Sequence, residues 1–177
     1  MSKQHYSTTL KAIHWGTLLL VIAAFLSIEF REFYEKGTET RELFKFVHFQ
    51  IGGLLLLLTI ARLVIRKVQG VPDMVSMPKW QTAVAHGVHI ALYACLIAMP
   101  ILGVLTLVFA GKDTTVLGME MQGWVAANKD FAHDLEEIHE SIGEAFMWII
   151  FLHAAGALVH HFVQKDDTLV KMKFSGR

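Results

Sequence analysis

Hydrophobic positions along the chain fall into four long blocks separated by polar connections. The blocks cover about residues 10–30, 44–65, 84–109 and 134–163. Each is close to the roughly 20 residues that a helix needs to cross a bilayer. Pro72 and Pro78 lie between the second and third blocks and separate the two helices. The pattern predicts an all-α integral membrane protein, a four-helix bundle that forms a single domain over residues 1–177.

The polar connections indicate how the bundle sits in the membrane. The first block is expected to be retained as a spanning helix, because no small-residue cleavage site closes it. With the N-terminus in the cytoplasm, ten of the 16 Lys and Arg residues lie on the cytoplasmic side and six on the outer side. This bias favours both termini in the cytoplasm. The long connection 111–132 then lies outside; it holds Trp124 and is expected to form a short helix on the membrane surface.

Composition agrees with a membrane protein and limits the cofactors it can hold. Hydrophobic residues make up 54% of the chain and charged residues 18%, so membrane lipid is the expected surrounding. A formal net charge of 0 removes the case for nucleic acid as a partner. The single cysteine, Cys95, excludes a disulfide framework, an iron–sulfur site and the covalent attachment of c-type haem. Any haem would therefore be held by ligation alone.

Four histidines within the hydrophobic blocks are the main candidates for chemistry. His139 and His153 are fourteen residues apart, so on one helix they project within about 40° of each other and about 21 Å apart along the axis. If the helices alternate in direction, His48 shares the outer level with His139, and His14 shares the inner level with His153. Two stacked bis-imidazole haems in a four-helix bundle need this arrangement. Ionisable side chains inside a bilayer are costly and usually functional.

Small residues near these histidines support a flat ligand. Gly52 follows His48 by four residues, Gly143 follows His139 by four, and Gly156 follows His153 by three. A glycine one turn from a ligand lets a macrocycle approach the backbone. The alternative interpretation is that glycines are simply common in membrane helices.

Four further residues are candidates for contacts at the inner level. Arg62 reaches the depth of His153 and could pair with haem propionates, or it could be a snorkelling interface anchor. His160, on the same face as His153, could contact a propionate or a quinone, or could be a solvated side chain. His86 and His89 share one face of the third helix. They could serve the inner pocket or merely lie at the interface.

Several sequence segments resemble a known family. They are the His14–Trp15 pair, VIAAF and EFREFY within residues 21–34, VHFQIGG at 47–53 with a following arginine, HIALYACLIAMPILG at 89–103, and FLHAAGALVHHF at 151–162 followed by KDDTL. Together they are similar to the bacterial cytochrome b561 family, close to its superoxide oxidase branch. The resemblance covers essentially the whole chain. It implies a multi-pass protein of the bacterial inner membrane with two b haems and ligands at His14, His48, His139 and His153.

The resemblance also implies an activity. In the superoxide oxidase branch, electrons from superoxide on the periplasmic side reach ubiquinone through both haems. A superoxide anion would be steered by positive charge, which Arg31, Lys36, Arg41 and Lys45 at the outer end could supply, although glutamates are interleaved with them. We therefore predict a di-haem oxidoreductase with ubiquinone as the electron acceptor.

Two other hypotheses compete with this one. The chain could be an electron-relay cytochrome b subunit that passes electrons between the quinone pool and a partner redox protein, with 111–132 as the docking surface. It could also be a metal transporter with histidine sites, which predicts acidic residues within the bilayer. Only Glu140 and Glu144 come close to that requirement, so the sequence disfavours a transporter.

Overall fold

The computed structural model describes residues 5–73 and 75–174 of the chain. Its main elements are four helices, each long and apolar enough to cross a membrane: α1 (Thr8–Phe30), α2 (Glu39–Gln69), α3 (Lys79–Phe109) and α4 (Lys129–Val159). The expected all-α four-helix bundle is confirmed. Residues 1–4 and 175–177 of the predicted domain lie outside the described part. So do Lys3 and Arg177, which were counted in the charge bias.

The helices extend beyond the hydrophobic blocks that predicted them. α2, α3 and α4 each begin about one turn earlier than their blocks, because polar and charged residues continue the helix outside the apolar region. Ser7 caps α1 by accepting a hydrogen bond from the Leu10 amide, and Asn128 caps α4 by accepting one from the Phe131 amide. α2 ends at Gly70, whose φ of 69° suits a residue without a side chain.

The connection between α3 and α4 is not the surface helix that the sequence suggested. It forms an antiparallel β-hairpin of β1 (Thr115–Val116) and β2 (Met119–Glu120), and α4 already begins at Lys129. Leu117 and Gly118 have φ values of 51° and 80°, as the two-residue turns of tight hairpins require. The hairpin does not lie free on the surface, because Val116 and Met121 are buried against Leu107 and Val108 at the end of α3.

A glutamine on α2 holds this hairpin to the bundle. The Gln50 side-chain amide donates to the Thr115 carbonyl at 2.6 Å, and its oxygen accepts from the Leu117 amide at 2.8 Å. Gly53, one turn later, leaves the space that the hairpin needs: a methyl group added there would lie 2.9 Å from side-chain atoms of Leu117 and Val116. The hairpin is therefore a fixed cover over one end of the bundle.

The four helices do not pack equally against one another. α1 lies along α2, α3 lies along α4, and α2 also packs on α3. α1 and α4 meet mainly through side chains, for example Phe25 and Phe146, whose ring centroids are 6.4 Å apart. We call the end of the bundle with the start of α1 and the end of α4 the terminal end, and the opposite end, with the β-hairpin, the hairpin end.

Candidate functional site

Four histidines form two pairs inside the bundle, one pair toward each end. At the hairpin end, the ring centroids of His48 on α2 and His139 on α4 are 6.2 Å apart, with the ring planes at 74°. At the terminal end, the centroids of His14 on α1 and His153 on α4 are also 6.2 Å apart, with the planes at 71°. Two imidazoles bonded to one metal ion at about 2 Å each have centroids roughly 6 Å apart. Each pair therefore has the separation of two axial ligands.

Nδ1 of His48 forms a hydrogen bond that leaves the other ring nitrogen, Nε2, suited to metal binding. Its Nδ1 lies 2.9 Å from the Ala24 carbonyl oxygen and 3.4 Å from Ser27 Oγ. Because a carbonyl only accepts, Nδ1 carries the proton and donates it. Nε2 then has a free lone pair, and a backbone carbonyl on the other ring nitrogen is a common support for a metal-bound imidazole.

His14 is held differently, by the guanidinium of Arg62. Arg62 Nη1 donates to His14 Nδ1 at 3.0 Å. A guanidinium is only a donor, so Nδ1 accepts and the ring proton sits on Nε2. His14 can offer Nε2 to a metal only after Arg62 has left Nδ1. The side chain of Arg62 thus has to turn toward another acceptor when the site is filled.

Open space borders one histidine of each pair. A methyl group added at Gly52, one turn from His48, or at Gly156, one turn from His153, would meet no atom within 4 Å. Gly143, the third glycine that the sequence singled out, is instead packed, since a methyl group there would lie 3.4 Å from the Met99 side chain. Two of the three expected glycines therefore have no protein atom where a side chain would be, Gly52 at a half-buried position and Gly156 at an exposed one.

Comparison with known protein sequences identifies the family of this chain. The family model described as prokaryotic cytochrome b561 matches residues 5–175. A protein named cytochrome b561 homolog 1 from Escherichia coli (strain K12) is 33% identical over 168 residues, covering 94% of this chain and 96% of its own. The probable superoxide oxidase CybB of Yersinia pestis is 36% identical over 168 residues, covering 94% of each chain. This chain belongs to the prokaryotic cytochrome b561 family.

A third relative widens the comparison. Cytochrome b562 of Cereibacter sphaeroides (strain ATCC 17023) is 27% identical over 164 residues, covering 90% of this chain and 89% of its own. As a cytochrome b561, the protein is a multi-pass inner-membrane protein of electron transfer, and its family implies b-type haem. The residues present fit that group: imidazole pairs at ligand separation, open space beside glycines, and no need for cysteine attachment.

The terminal end of the cytochrome holds a third imidazole. The His89 ring on α3 lies 5.3 Å from that of His153, centroid to centroid. His86, one turn earlier, is exposed and belongs to no such ring contact among the described residues. Of the two histidines that the sequence proposed for this helix, the structure thus brings one to the His14–His153 pair.

Two arginines of α2 lie against a tyrosine of α3 at the terminal end. The guanidinium carbons of Arg62 and Arg66 lie 5.9 and 5.7 Å from the Tyr93 ring centroid, and Arg66 Nη1 donates to the Tyr93 hydroxyl at 3.4 Å. Arg62 Nε is buried without a hydrogen-bond partner among the described residues, so its donors are not all used. No sequence pattern singled out Arg66 and Tyr93 for this site, although each follows a candidate residue, Arg62 or His89, by one turn.

His160 lies at the terminal end, just after α4, and has an acidic partner that the sequence analysis also missed. Its Nδ1 is 2.6 Å from Asp166 Oδ2. Burial of the Asp166 carboxyl opposes ionisation, but hydrogen bonds from His160 and from Thr168 outweigh it and hold the pKa of Asp166 below its usual value. The only signal in the sequence was the KDDTL segment that follows the helix.

The basic residues at the hairpin end are largely engaged with neighbours. Arg41 is buried; its Nη1 donates to the carbonyls of Arg31 and Tyr34 at 2.9 and 2.8 Å, and its Nη2 pairs with Glu32 at 3.0 Å. Lys45 pairs with a glutamate on its own helix. Arg41 therefore holds the α1–α2 loop in place, a different role from the expected steering of an anion.

Proposed function

We propose that this cytochrome b561 binds two b haems, one at each end of the bundle, and transfers electrons from superoxide to ubiquinone. His48 and His139 are the proposed axial ligands at the hairpin end, and His14 and His153 those at the terminal end. The observation that carries the proposal is the repeated 6.2 Å separation of the two imidazole pairs. The whole chain, 1–177, forms the one domain that this activity needs.

The chain's own residues supply the positions, while a bound haem iron supplies one-electron chemistry. α4 contributes one imidazole to each level, about 21 Å apart along its axis. The Ala24 carbonyl orients His48. Gly52 and Gly156 leave room for the two macrocycles. Arg62, on leaving His14, is placed to pair with a propionate, a carboxylate that a guanidinium binds well.

The proposed direction of transfer rests on charge and on the terminal-end residues. The bias of Lys and Arg favours both termini in the cytoplasm; in that orientation the hairpin end faces outward and meets superoxide. A quinone at the terminal end needs hydrogen-bonding partners, and the His160 ring, held through Nδ1 by Asp166, leaves its second nitrogen available there. The name of the Yersinia pestis relative, a probable superoxide oxidase, supports the choice of donor.

The second candidate function is an electron relay between the quinone pool and a partner redox protein. It is favoured by the engagement of Arg41 and Lys45, which leaves less free positive charge to attract superoxide. The connection after α3 would offer apolar contacts to such a partner, because Met119 and Trp124 are 53% and 57% exposed. The metal-transporter hypothesis gains nothing from the structure, since Glu140 and Glu144 are exposed on α4 rather than gathered with the histidines.

One experiment on the purified protein separates these functions. Haem content is measured by the pyridine haemochrome spectrum, and reduction is followed with enzymatically generated superoxide, with and without superoxide dismutase. A short-chain ubiquinone is then added. We expect two haems per chain, reduction that the dismutase abolishes, and reoxidation by the quinone. Reduction by quinol but not by superoxide would favour the relay, and one haem per chain would contradict the two-level arrangement.

A further inference from the structure

The chain turns back on itself just after α4. Residues His160–Gln164 form a single π-helical turn, and Lys165 follows in the left-handed region at φ 56°. Both features are uncommon, and π-turns occur frequently at functional sites. The reversal lets the Asp166 amide donate to the His160 carbonyl at 3.1 Å. It thereby brings the Asp166 carboxylate to the His160 ring.

The carboxylate and the imidazole form a closely held pair. His160 Nδ1 and Asp166 Oδ2 are 2.6 Å apart, and the two side chains are only 15% and 17% exposed. The other oxygen of Asp166 accepts from the Thr168 amide at 2.8 Å. An ionised carboxylate only accepts, so the His160 proton on this side is on Nδ1. Nε2 is then the ring nitrogen that remains available to another molecule. The described residues form a hydrogen bond with the His160 ring only at Nδ1.

The segment that carries Asp166 is tied down on the far side as well. Lys11 Nζ donates to the Lys173 carbonyl at 2.6 Å, and Trp15 Nε1 donates to the Met172 carbonyl at 3.1 Å. Lys171 Nζ donates to the Asp73 carbonyl at 2.6 Å, in the connection between α2 and α3. Asp166 is therefore held by the body of the bundle rather than by a loose tail, which gives it the rigidity that orienting another group requires.

We infer that Asp166 is a positioning residue for proton transfer by His160 to a quinone. The inference rests on the proposed function, in which ubiquinone is reduced at the terminal end. Conversion of one quinone to quinol takes two electrons, from two superoxide anions that are each oxidised to oxygen, and two protons, one for each carbonyl oxygen. The protonated His160 releases its Nε2 proton to the nearer quinone oxygen, and water at the terminal end returns a proton to Nε2. Water supplies the second proton to the other quinone oxygen.

Asp166 acts on this step in two ways. It keeps the Nδ1 proton in place throughout, so that Nε2 alone exchanges protons with the quinone. Its negative charge also stabilises the imidazolium that has to form before each transfer, as a carboxylate beside a catalytic histidine does. The carboxylate itself stays ionised during the cycle.

The first test compares Asp166→Asn with Asp167→Asn. The control residue is the exposed neighbour and receives the same change. We expect Asp166→Asn to keep both haems and normal reduction by the donor, but to slow reoxidation by a short-chain ubiquinone by roughly 10-fold to 100-fold. The loss is expected in the maximal rate rather than in the quinone concentration for half-maximal rate. Asp166→Glu should restore part of the rate. Equal rates in the two Asn variants would overturn the inference.

A double variant separates positioning from a structural effect. If Asp166 acts only through His160, then His160→Ala with Asp166→Asn is no slower than His160→Ala alone. A double variant that is slower still would show that Asp166 acts elsewhere, and would overturn the inference. If His160→Ala itself reoxidises at the normal rate, the proposed quinone contact fails. If His160→Ala is slow while Asp166→Asn is normal, only the role of Asp166 fails.

A spectroscopic measurement on the wild-type protein tests the inference without turnover, and it does so even if the Asp166 variants do not fold. Nitrogen-15 spectra of the histidine-labelled wild-type protein report which ring nitrogen of neutral His160 carries the proton, with His160→Gln used to assign the signal. We expect protonation at Nδ1. In Asp166→Asn, we expect a loss of that preference. A wild-type signal from the tautomer protonated at Nε2 would overturn the inference without any variant at Asp166.

Discussion

Three of the paired imidazoles differ in the hydrogen bonding of their Nδ1 atom. His48 Nδ1 donates a hydrogen bond to a backbone carbonyl, whereas His14 Nδ1 accepts a hydrogen bond from Arg62. His139 has a buried Nδ1 without a partner of hydrogen-bond geometry among the described residues. If both pairs bind haem as proposed, the hairpin-end pair would need no change of tautomer at His48, while the terminal-end pair would need Arg62 to move.

Replacement of single histidines tests the pairing. His48→Ala and His139→Ala should each remove the hairpin-end haem and leave the other, while His14→Ala and His153→Ala should do the reverse. The measurement is haem content together with the low-temperature absorption spectrum, in which two different b haems give separable bands. His86→Ala, at an exposed position, is the control and should keep both. Loss of the same haem in His48→Ala and His14→Ala would show that the pairs are wrongly assigned.

Arg62 should tune the terminal-end haem specifically. Removing a positive charge near the iron favours its oxidised form, so Arg62→Gln should lower the potential of that haem by on the order of tens of millivolts, where 59 mV is tenfold for one electron. A redox titration of the purified variant checks this, with Lys67→Gln as an exposed control on the same helix. An equal shift of both haems, or none, would argue against contact between Arg62 and the terminal-end site.

At the scale of elements, adjacent glycines on α2 serve different neighbours. Gly52 borders open space near His48, and Gly53 touches the turn of the β-hairpin. The two positions therefore separate the proposed haem site from the cover above it. The cover itself is short, but one face of it is buried and Gln50 binds its backbone at two points.

Substitution of the two glycines should give opposite results. Gly52→Leu should fold, because a Cβ added there meets no atom within 4 Å, but its longer side chain should displace the hairpin-end haem. Gly53→Ala should retain haem yet lose stability, by about 1–3 kcal/mol, because the methyl group overlaps the hairpin turn. Haem content and thermal unfolding in detergent measure the two effects. If Gly52→Leu kept both haems, the open space beside it would not be a cofactor site.

The α1–α2 loop provides a second test at this scale. Arg41→Gln removes a buried guanidinium from two carbonyls and a carboxylate, and should lower stability by roughly 1–3 kcal/mol. Lys45→Gln, the control with a single ion pair on its own helix, should change it by under about 1 kcal/mol. Any slowing of superoxide-driven reduction in Arg41→Gln should be similar at low and high salt, since it would reflect loop structure rather than screened attraction. A slowing confined to low salt would restore Arg41 as a steering residue.

The sequence predicted those features of the elements that depend on spacing along one helix. The fourteen-residue spacing of His139 and His153 predicted two levels, and hydrophobic block length predicted four spanning helices. The β-hairpin escaped prediction, because its stability depends on Gln50, distant in the chain. Arg41 looked like a solvated loop charge because its acceptors are backbone carbonyls that no sequence pattern displays. The Asp166–His160 pair depends on a π-turn and a left-handed Lys165, which sequence periodicity does not reveal.

At the scale of the whole molecule, the bundle consists of two helical hairpins that meet where α2 packs on α3 and in an apolar core shared by all four helices. α1 packs with α2 and α3 with α4, while α1 and α4 meet through side chains such as Phe25 and Phe146. Each imidazole pair joins one helix of the first hairpin to α4. A group held between the imidazoles therefore stabilises the bundle as a whole, in addition to any chemistry it performs.

Removal of haem should loosen the interface of α1 and α4, which is one seam between the two helical hairpins. The variant His14→Ala with His48→Ala, which is expected to hold no haem, should unfold at a lower temperature than the wild type, because ligand binding stabilises only the folded state. Hydrogen exchange should rise most in amides of α1 and α4 that face each other, and least between α3 and α4. Unchanged exchange across the seam would show that protein contacts alone hold the hairpins together.

The position of α4 in the chain sets the order in which the protein can mature. α4 is the last helix to leave the ribosome, and it supplies one imidazole to both levels. During synthesis, His14 and His48 enter the membrane as single imidazoles, each without its opposite member. Both sites are completed by the same event, the insertion of α4. If these pairs hold haem as proposed, cofactor loading is a late step that waits for α4, and a product truncated before α4 would retain neither imidazole pair.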